Sequence, residues 1–409
     1  MSTSLFLDGP TRESLESHIR AGRYEIALRD IYQILEYARW EESFELWYNQ
    51  LPELDQLVQT IGREILAKKR PPKARQPGKV NVFIATEVYP AGGHTRVIED
   101  LVRLSDKESV IVLTDIFEKY ANGYLEPGRV ATQLNAPIWV LPKMSLVDKT
   151  KSLIGLIDAI DVNTVAIFAH HEDVIAYAAC NENLGCRQAF FHHADHNPAL
   201  GATIAHYEHV DLVPGNLQMC IDAGYVTPSY MPLYVVEKFR NLPSSDVFNT
   251  GTSGTFNKFV TEGPLNFADI VVTILQSISG QHVHVGEIPE VYLNVIADQL
   301  RHAGIDPSRF VYLGYVSSLQ QALIDQNVSV YITSAPIGGS KAYVEVLGLG
   351  IGVLMYAAEA VDVPSIVRYN NGASYAKSHL RWSNVEELSG CLTSMSLDKE
   401  FGKSRAFLA

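Results

Sequence analysis

Strand-length apolar runs and helical patterns take turns along this chain from Lys79 onward, and few architectures accommodate that rhythm. The first series reads KVNVFIAT, SVIVLTD, APIWVLP, TVAIFAH, RQAFFHH and VDLVPG, with helical patterns between them. The second reads DVFNTG, HVHVGE, RFVYLGY, VSVYITS and IGVLMY. Unbroken β-branched and aromatic runs separated by helices describe parallel strands covered on both faces. Two successive series therefore predict two doubly wound α/β domains, residues 79–240 and 241–380, with the seam near residues 229–246. The 409-residue length is also too great for one ordinary core. In sheets of this kind, ligands bind beyond the carboxyl ends of the strands.

Residues 1–66 lack the rhythm and read as a small all-helical N-terminal module. YEIALRDIYQILEYARW spaces Ile26, Ala27, Ile31, Ile34, Leu35 and Ala38 close to helical intervals, and ESFELWYNQLPELDQLVQTIGREIL continues in the same style. No second copy at a fixed period marks a repeat. Such a module caps the body or docks a protein partner. Residues 67–78 follow as a linker. AKKRPPKARQPGK carries three prolines and six basic residues between Lys68 and Lys79, so proline stiffens it and charge solvates it. The same charge could touch anionic lipid. Residues 381–409 read as a helical tail.

Composition excludes several classes. No apolar run reaches the roughly 18 residues needed to span a bilayer, so no transmembrane segment is expected. The net charge of −13 argues against nucleic acid as a partner. Four cysteines without a CxxC are not a disulfide framework. With no basic n-region and apolar h-region at the N-terminus, the expected compartment is the cytoplasm, with membrane association possible only through the basic linker.

The chemistry-bearing residues gather where strands end. YPAGGHTR puts Gly92, Gly93 and His94 at the handover from the first strand to a helix. A glycine pair lets the backbone approach a ligand and leaves helix N–H groups for oxygen atoms, although a plain tight turn uses the same residues. The spacing is not GxGxxG, so no dinucleotide fingerprint is present. His94 could act as a general base on an incoming hydroxyl, hydrogen-bond a substrate, or cap the helix. FAHHEDV and FFHHADHNPALG place His170, His171, Glu172, Asp173, His192, His193, Asp195 and His196 at two adjacent strand ends, including five of the 13 histidines. Adjacent histidines on a strand point to opposite faces, so one of each pair serves a given site. Metal ligation would suit these residue types, but no HxxxH or HExxH lies on a helix. A polar sugar- or acceptor-binding crevice is the favoured reading, and no metal is assigned.

The second series has its own polar ends. GTSGTFNKFV, Gly251 to Val260, offers hydroxyls such as Ser253 and one charge, Lys258, able to neutralise a phosphate; it lacks the ending of a Walker loop. YITSAPIGGSKAYVEVLGLGIGVLMY leads from a strand through Pro336 to Gly338, Gly339 and Ser340, which open a helix carrying Lys341 and Glu345. Glycine and serine at a helix N-terminus would cradle a pyrophosphate, and Glu345 stands where a carboxylate can accept from two ribose hydroxyls. FVYLGYV offers Gly314, Tyr315 and Val316 to a nucleobase.

On these residues the chain resembles the GT-B glycosyltransferases over about residues 79–390. APIGGSKAYVEVLGLGIGVL is similar to the motif of their nucleotide-sugar domain: strand, proline and glycines, a small residue, then a helix with E-A/V-L-x-x-G-x-P-V. Gly314-Tyr315-Val316 before a helix, and a first-strand loop with Asn257-Lys258, match as well. RWSNVEELSGCL is similar to the terminal segment of such enzymes. Ile351 replaces the usual proline, and one glutamate stands where many retaining members have two. The loop lysine with Gly-Gly-Ser looks like the branch of O- and N-linked N-acetylglucosamine or glucose transferases. The resemblance implies two Rossmann-like domains and a UDP-sugar donor. Lys258 would meet the diphosphate, Gly339 and Ser340 the phosphates, and Glu345 the ribose; Gly93, Ser253 and Lys341 complete the donor-binding set. His94 is the first choice of base near the acceptor, with His193 or Asp195 second. Transfer to a glycan or protein acceptor would be inverting and need no metal or other cofactor. A sugar-nucleotide epimerase or hydrolase of the same architecture, and a non-catalytic nucleotide-sugar or glycan-binding protein, are the alternatives.

Overall fold

The computed structural model describes residues 7–40, 50–67, 77–89, 92–126, 128, 133–193, 199–235, 247–357 and 380–397. The chain forms two compact units, Met1–Pro232 and Leu233–Ala409. In the first, three helices lead: α1 (Gly9–Arg20), α2 (Tyr24–Trp40) and α3 (Pro52–Ala67). Then come β1 (Val80–Ala85), α4 (Gly93–Leu104), β2 (Glu108–Leu113), β3 (Ile138–Val140), α5 (Leu146–Ala159), β4 (Val162–Phe168) and α6 (Val174–Ala179). β5 (Arg187–His192), β6 (Glu208–Asp211), α7 (Pro214–Ala223) and β7 (Ser229–Tyr230) complete it. The strands form one parallel seven-stranded sheet in the order β3-β2-β1-β4-β5-β6-β7. Chain order reverses beside β1, so its gap with β4 is the switch point where such sheets open a crevice.

The leading helices are part of this unit rather than a separate module. Ala27, Leu28, Ile31 and Leu35 of α2 and Leu54, Val58 and Ile61 of α3 share one buried core with Ile154, Ile175 and Ala178 of the α/β layer. α3 approaches α6 so closely that a Cβ on Gly62 would lie 1.9 Å from the Ala178 carbonyl oxygen. Polar ties fix the same junction. The Asp55 carboxylate accepts from Gly201 N at 2.6 Å and Thr203 N at 3.0 Å. Gln59 Nε2 donates to Tyr177 O at 2.7 Å, and Glu25 accepts from Val147 N at the start of α5, 2.9 Å away. Periodicity found the helices but could not see which surface their apolar stripes cover. Most of the basic linker, residues 68–76, lies outside the described residues.

The second unit holds β8 (Asn249–Ser253), α8 (Phe267–Ser277), β9 (His282–Val285), α9 (Glu290–His302) and β10 (Phe310–Gly314). α10 (Leu319–Asp325), β11 (Val328–Ile332), α11 (Ser340–Leu347), β12 (Gly352–Tyr356), β13 (Leu380–Trp382) and α12 (Val385–Leu397) follow. Its six parallel strands run β10-β9-β8-β11-β12-β13, with the switch point between β8 and β11. The sequence reading set a tail apart from residue 381; in the structure Trp382 is an edge-strand residue whose ring meets Tyr356 at 4.9 Å. α12 buries Leu388, Leu392 and Met395, one helical stripe, in the same core as Ile270 and Ile274 of α8. The unit boundary falls at 232/233, a few residues before the 240/241 division read from the two strand–helix series. Among the described residues no helix is long and apolar enough to cross a membrane.

Candidate functional site

At the first switch point the strand ends bring three imidazoles together. His94 begins α4 just beyond β1, His170 follows β4, and His193 follows β5. Ring centroids of His94 and His193 lie 5.5 Å apart and nearly parallel at 27°. His170 lies 5.8 Å from His94 and 6.0 Å from His193. The neighbouring residues face elsewhere, as a period of two requires. His171 Nδ1 lies 3.0 Å from Glu172 Oε2, and His192 turns to Asp211. Asp173 caps α6, accepting from Ala176 N at 3.1 Å and Thr86 Oγ1 at 2.6 Å; burial raises its pKa. It is a scaffold group, not part of an open site.

His94 is prepared to accept a proton. Its Nε2 lies 2.9 Å from the Glu87 carbonyl oxygen. A carbonyl can only accept, so Nε2 carries the hydrogen and Nδ1 keeps a lone pair. Desolvation within the ring cluster, opposed by that hydrogen bond, holds its pKa below the ordinary value, so the ring is neutral near pH 7. Beside it the buried Glu87 carboxylate pairs with Lys119 Nζ at 2.8 Å; burial raises its pKa and Lys119 opposes that shift. Gly92 is the N-cap of α4 without a side-chain cap, and Gly93 is exposed at its first position. Asp195 and His196 lie outside the described residues.

The second switch point is built from an ammonium, hydroxyls and a helix start. An antiparallel bridge joins Phe259 to Pro336, and Ile337 N donates to Lys258 O at 3.4 Å. That pairing lays the post-β8 turn along the loop leading into α11. Lys258 Nζ consequently lies 3.3 Å from Gly338 O, and a Cβ on Gly339 would stand 3.0 Å from it. Gly339 is the N-cap of α11 with no side-chain cap, and the buried Ser340 Oγ has no hydrogen-bond partner. Ser253 Oγ is 2.6 Å from Tyr331 OH; burial pushes the phenol up to about 12, and the nearby Glu345 charge adds to it.

Gly314, Tyr315 and Val316 sit at the end of β10. They are tied to the same rim through Gly286, whose N donates to Gly314 O at 2.8 Å. A Cβ on Gly286 would lie 2.2 Å from Gly254 O, and its φ is +125°, so only glycine fits. Tyr315 is 49% exposed. Lys341 is placed differently from the rest. It is buried, and its Nζ donates to Tyr234 O at 2.7 Å with the Tyr234 ring 5.6 Å away. It therefore braces the segment before β8.

Two doubly wound parallel sheets in one chain, each with a polar switch-point rim, can be set beside solved structures. HepE of Anabaena, in complex with UDP and glucose, superposes with TM-score 0.57 at 14% identity, covering 81% of this chain and 93% of that one. An O-GlcNAc transferase variant of Thermobaculum terrenum gives TM-score 0.50 at 12% identity over 97% of this chain and 78% of that one. The fold is that of the GT-B glycosyltransferases. The same GT-B likeness extends to UDP-GlcNAc 2-epimerase from Neisseria meningitidis bound to UDP-GlcNAc, with TM-score 0.51 at 10% identity, covering 81% and 94%. No protein-family pattern matches the sequence, and no curated protein matches it either.

Within this GT-B chain, sequence reasoning missed partners that only folding juxtaposes. Glu87 and Lys119 are 32 residues apart, and Ser253 and Tyr331 are 78 apart. His209 and Asp211 were legible in principle. H-x-D on a strand puts both side chains on one face, and β5/β6 pairing sets Asp211 opposite His192.

Proposed function

We propose that this protein transfers a sugar from a nucleoside diphosphate, UDP first among them, to an acceptor hydroxyl or amide with inversion at the anomeric carbon and without a metal in the reaction. The observation that carries this reading is the α11 start: uncapped helix amides, an unpartnered Ser340 hydroxyl and the Lys258 ammonium converge at one switch point. Helix N–H groups and an ammonium match the charge of a diphosphate, which grows as it leaves. In this reading Glu345 would meet the ribose and Tyr315 the base. His94 supplies the base. The acceptor O–H bond breaks as its proton moves to His94 Nδ1, and the oxygen's electron pair forms the new bond to the anomeric carbon. The bond from that carbon to the diphosphate oxygen breaks, leaving its pair on the phosphate held by Lys258 and the helix amides. Supporting this choice of donor, HepE, of the same fold, was solved with UDP and glucose.

Calorimetric titration with UDP, followed by turnover of UDP-glucose and UDP-N-acetylglucosamine with and without glycan acceptors, tests the reading. The expected result is UDP binding that weakens in Lys258→Ala, with UDP release stimulated by an acceptor. No binding of any nucleoside diphosphate would end the proposal. Conversion to an epimer or a free sugar without acceptor stimulation would replace transfer with epimerisation or hydrolysis.

A further inference from the structure

On the first sheet, but turned to the other face from His193, a second polar cluster lies wholly inside the protein. His192 ends β5, His209 and Asp211 share one face of β6, and Cys220 projects from α7. All four are at least 98% buried. His192 Nδ1 is 3.1 Å from Asp211 Oδ1, and His209 Nε2 is 3.5 Å from Asp211 Oδ2. Cys220 Sγ lies 3.5 Å from His192 Nδ1, 3.6 Å from His209 Nε2 and 3.9 Å from Asp211 Oδ1. Two nitrogens, one carboxylate oxygen and one sulfur thus converge, all within 4.8 Å of one another. A tetrahedral zinc ion, with Zn–N about 2.0 Å and Zn–S about 2.3 Å, spaces its donor atoms by roughly 3.3–3.6 Å. The closest pairs of the cluster, 3.1 to 3.9 Å apart, straddle that spacing, and small side-chain shifts would bring the rest to it.

We propose that His192, His209, Asp211 and Cys220 bind a zinc-class divalent cation that fastens α7 to the sheet. Charge favours it. A deprotonated Cys220 and Asp211 neutralise a divalent ion, so the buried assembly carries no net charge and avoids the desolvation cost of an isolated one. Ligand type selects the ion, because thiolate with imidazole favours zinc over the oxygen-seeking magnesium and calcium. Four protein donors close the shell, which makes the ion structural and leaves the proposed transfer reaction free of metal. The helix itself has need of such an anchor. α7 buries only Asn216 and Cys220, while Met219 and Ile221 are exposed. Apolar packing therefore contributes little to holding it, and three of the four ligands come from the short β6–α7 unit.

The test uses the full, tag-free chain. Elemental analysis should find about one zinc per molecule as isolated, the stoichiometry of a closed four-ligand site. Replacement by Co²⁺ should give tetrahedral ligand-field bands and a thiolate-to-cobalt charge-transfer band, and Cys220→Ala should abolish the latter. Should that variant fail to fold, hydrogen exchange on the parent protein decides. Chelation should speed exchange in residues 208–223, and added zinc should restore protection. A parent protein that holds no metal after dialysis against zinc, or a charge-transfer band that persists in folded Cys220→Ala, overturns the proposal.

Discussion

The two sheets share a plan and differ in what stands at its centre. Each has a middle strand, β1 or β8, with the strands that follow it directly in the chain on one side and the later ones on the other. Each passes from that strand into a turn with glycine, Gly92-Gly93 or Gly254. Beyond the first turn come three imidazole rings, with the buried Glu87–Lys119 pair beside them. Beyond the second come one ammonium, a hydroxyl and helix amide donors and, among the described residues, no imidazole cluster; the two histidines of that sheet's strands, His282 and His284, are buried inside β9. Topology fixes where a site can be, and the side chains at that place fix its task. In the proposed function, proton transfer belongs to the first place and anion binding to the second.

The largest test of that division is His94. His94→Ala should lower turnover by about 10³-fold, within the range for a lost general base, with the melting temperature nearly unchanged. The acid limb of the pH–rate profile should vanish with it. Turnover within a few-fold of the parent would remove His94 from the role and leave His193, stacked on it, as the candidate. Next comes Lys258. Its ammonium makes a 3.3 Å bond to Gly338 O at a part-exposed position, so Lys258→Ala should barely alter stability. Turnover should fall by about 10²-fold, as when one donor to a leaving charge is lost. A Lys258→Ala protein of unchanged melting temperature and full activity would refute the anion-binding assignment of the second crevice.

The histidines inside β9 give a third, smaller contrast. Burial depresses His282 to about 3 and His284 to about 4, below the ordinary 6.5. The unfolded chain binds these two protons as pH falls through 6.5, whereas the native unit resists until near 4. Stability is therefore fully present above about 6.5 and declines as pH falls, by up to about 2.7 kcal/mol per pH unit for two protons. Urea unfolding at a series of pH values reads the slope. His282→Asn with His284→Gln should flatten it between about pH 6 and 4; an unchanged slope would place the acid sensitivity elsewhere.

Alternation of apolar runs with helices was enough to read both sheets, because buried parallel strands leave that mark in a single sequence. The strand ends were equally legible: His94, His193, Lys258 and Ser340 each follow a predicted strand. Side-chain direction was legible only where a period applied, as at His192-His193. It failed at Lys341, because nothing local to GGSKAYVE says that its ammonium meets Tyr234 O, 107 residues earlier in sequence. The core shared by α2, α3 and the first sheet was hidden for the same reason. An amphipathic stripe states that a face is covered, not what covers it.

Ser340 and Ser253 make the smallest comparison and the one with opposite signs. Both are hydroxyls near the second switch point. Ser253 Oγ is held by Tyr331 OH at 2.6 Å, so Ser253→Ala removes one of the buried phenol's two partners on Ser253 and should lower stability by about 1 kcal/mol. Ser340 Oγ is buried with no partner, so the protein without donor bears its desolvation cost. Ser340→Ala should leave the melting temperature unchanged or slightly raised, while UDP affinity falls by up to about tenfold, one hydrogen bond's worth. Paired thermal melts and UDP titrations read both effects on the same samples. If Ser340→Ala instead destabilises the protein and binds UDP normally, the hydroxyl belongs to the scaffold and the α11 start loses one of its three proposed contacts with the donor.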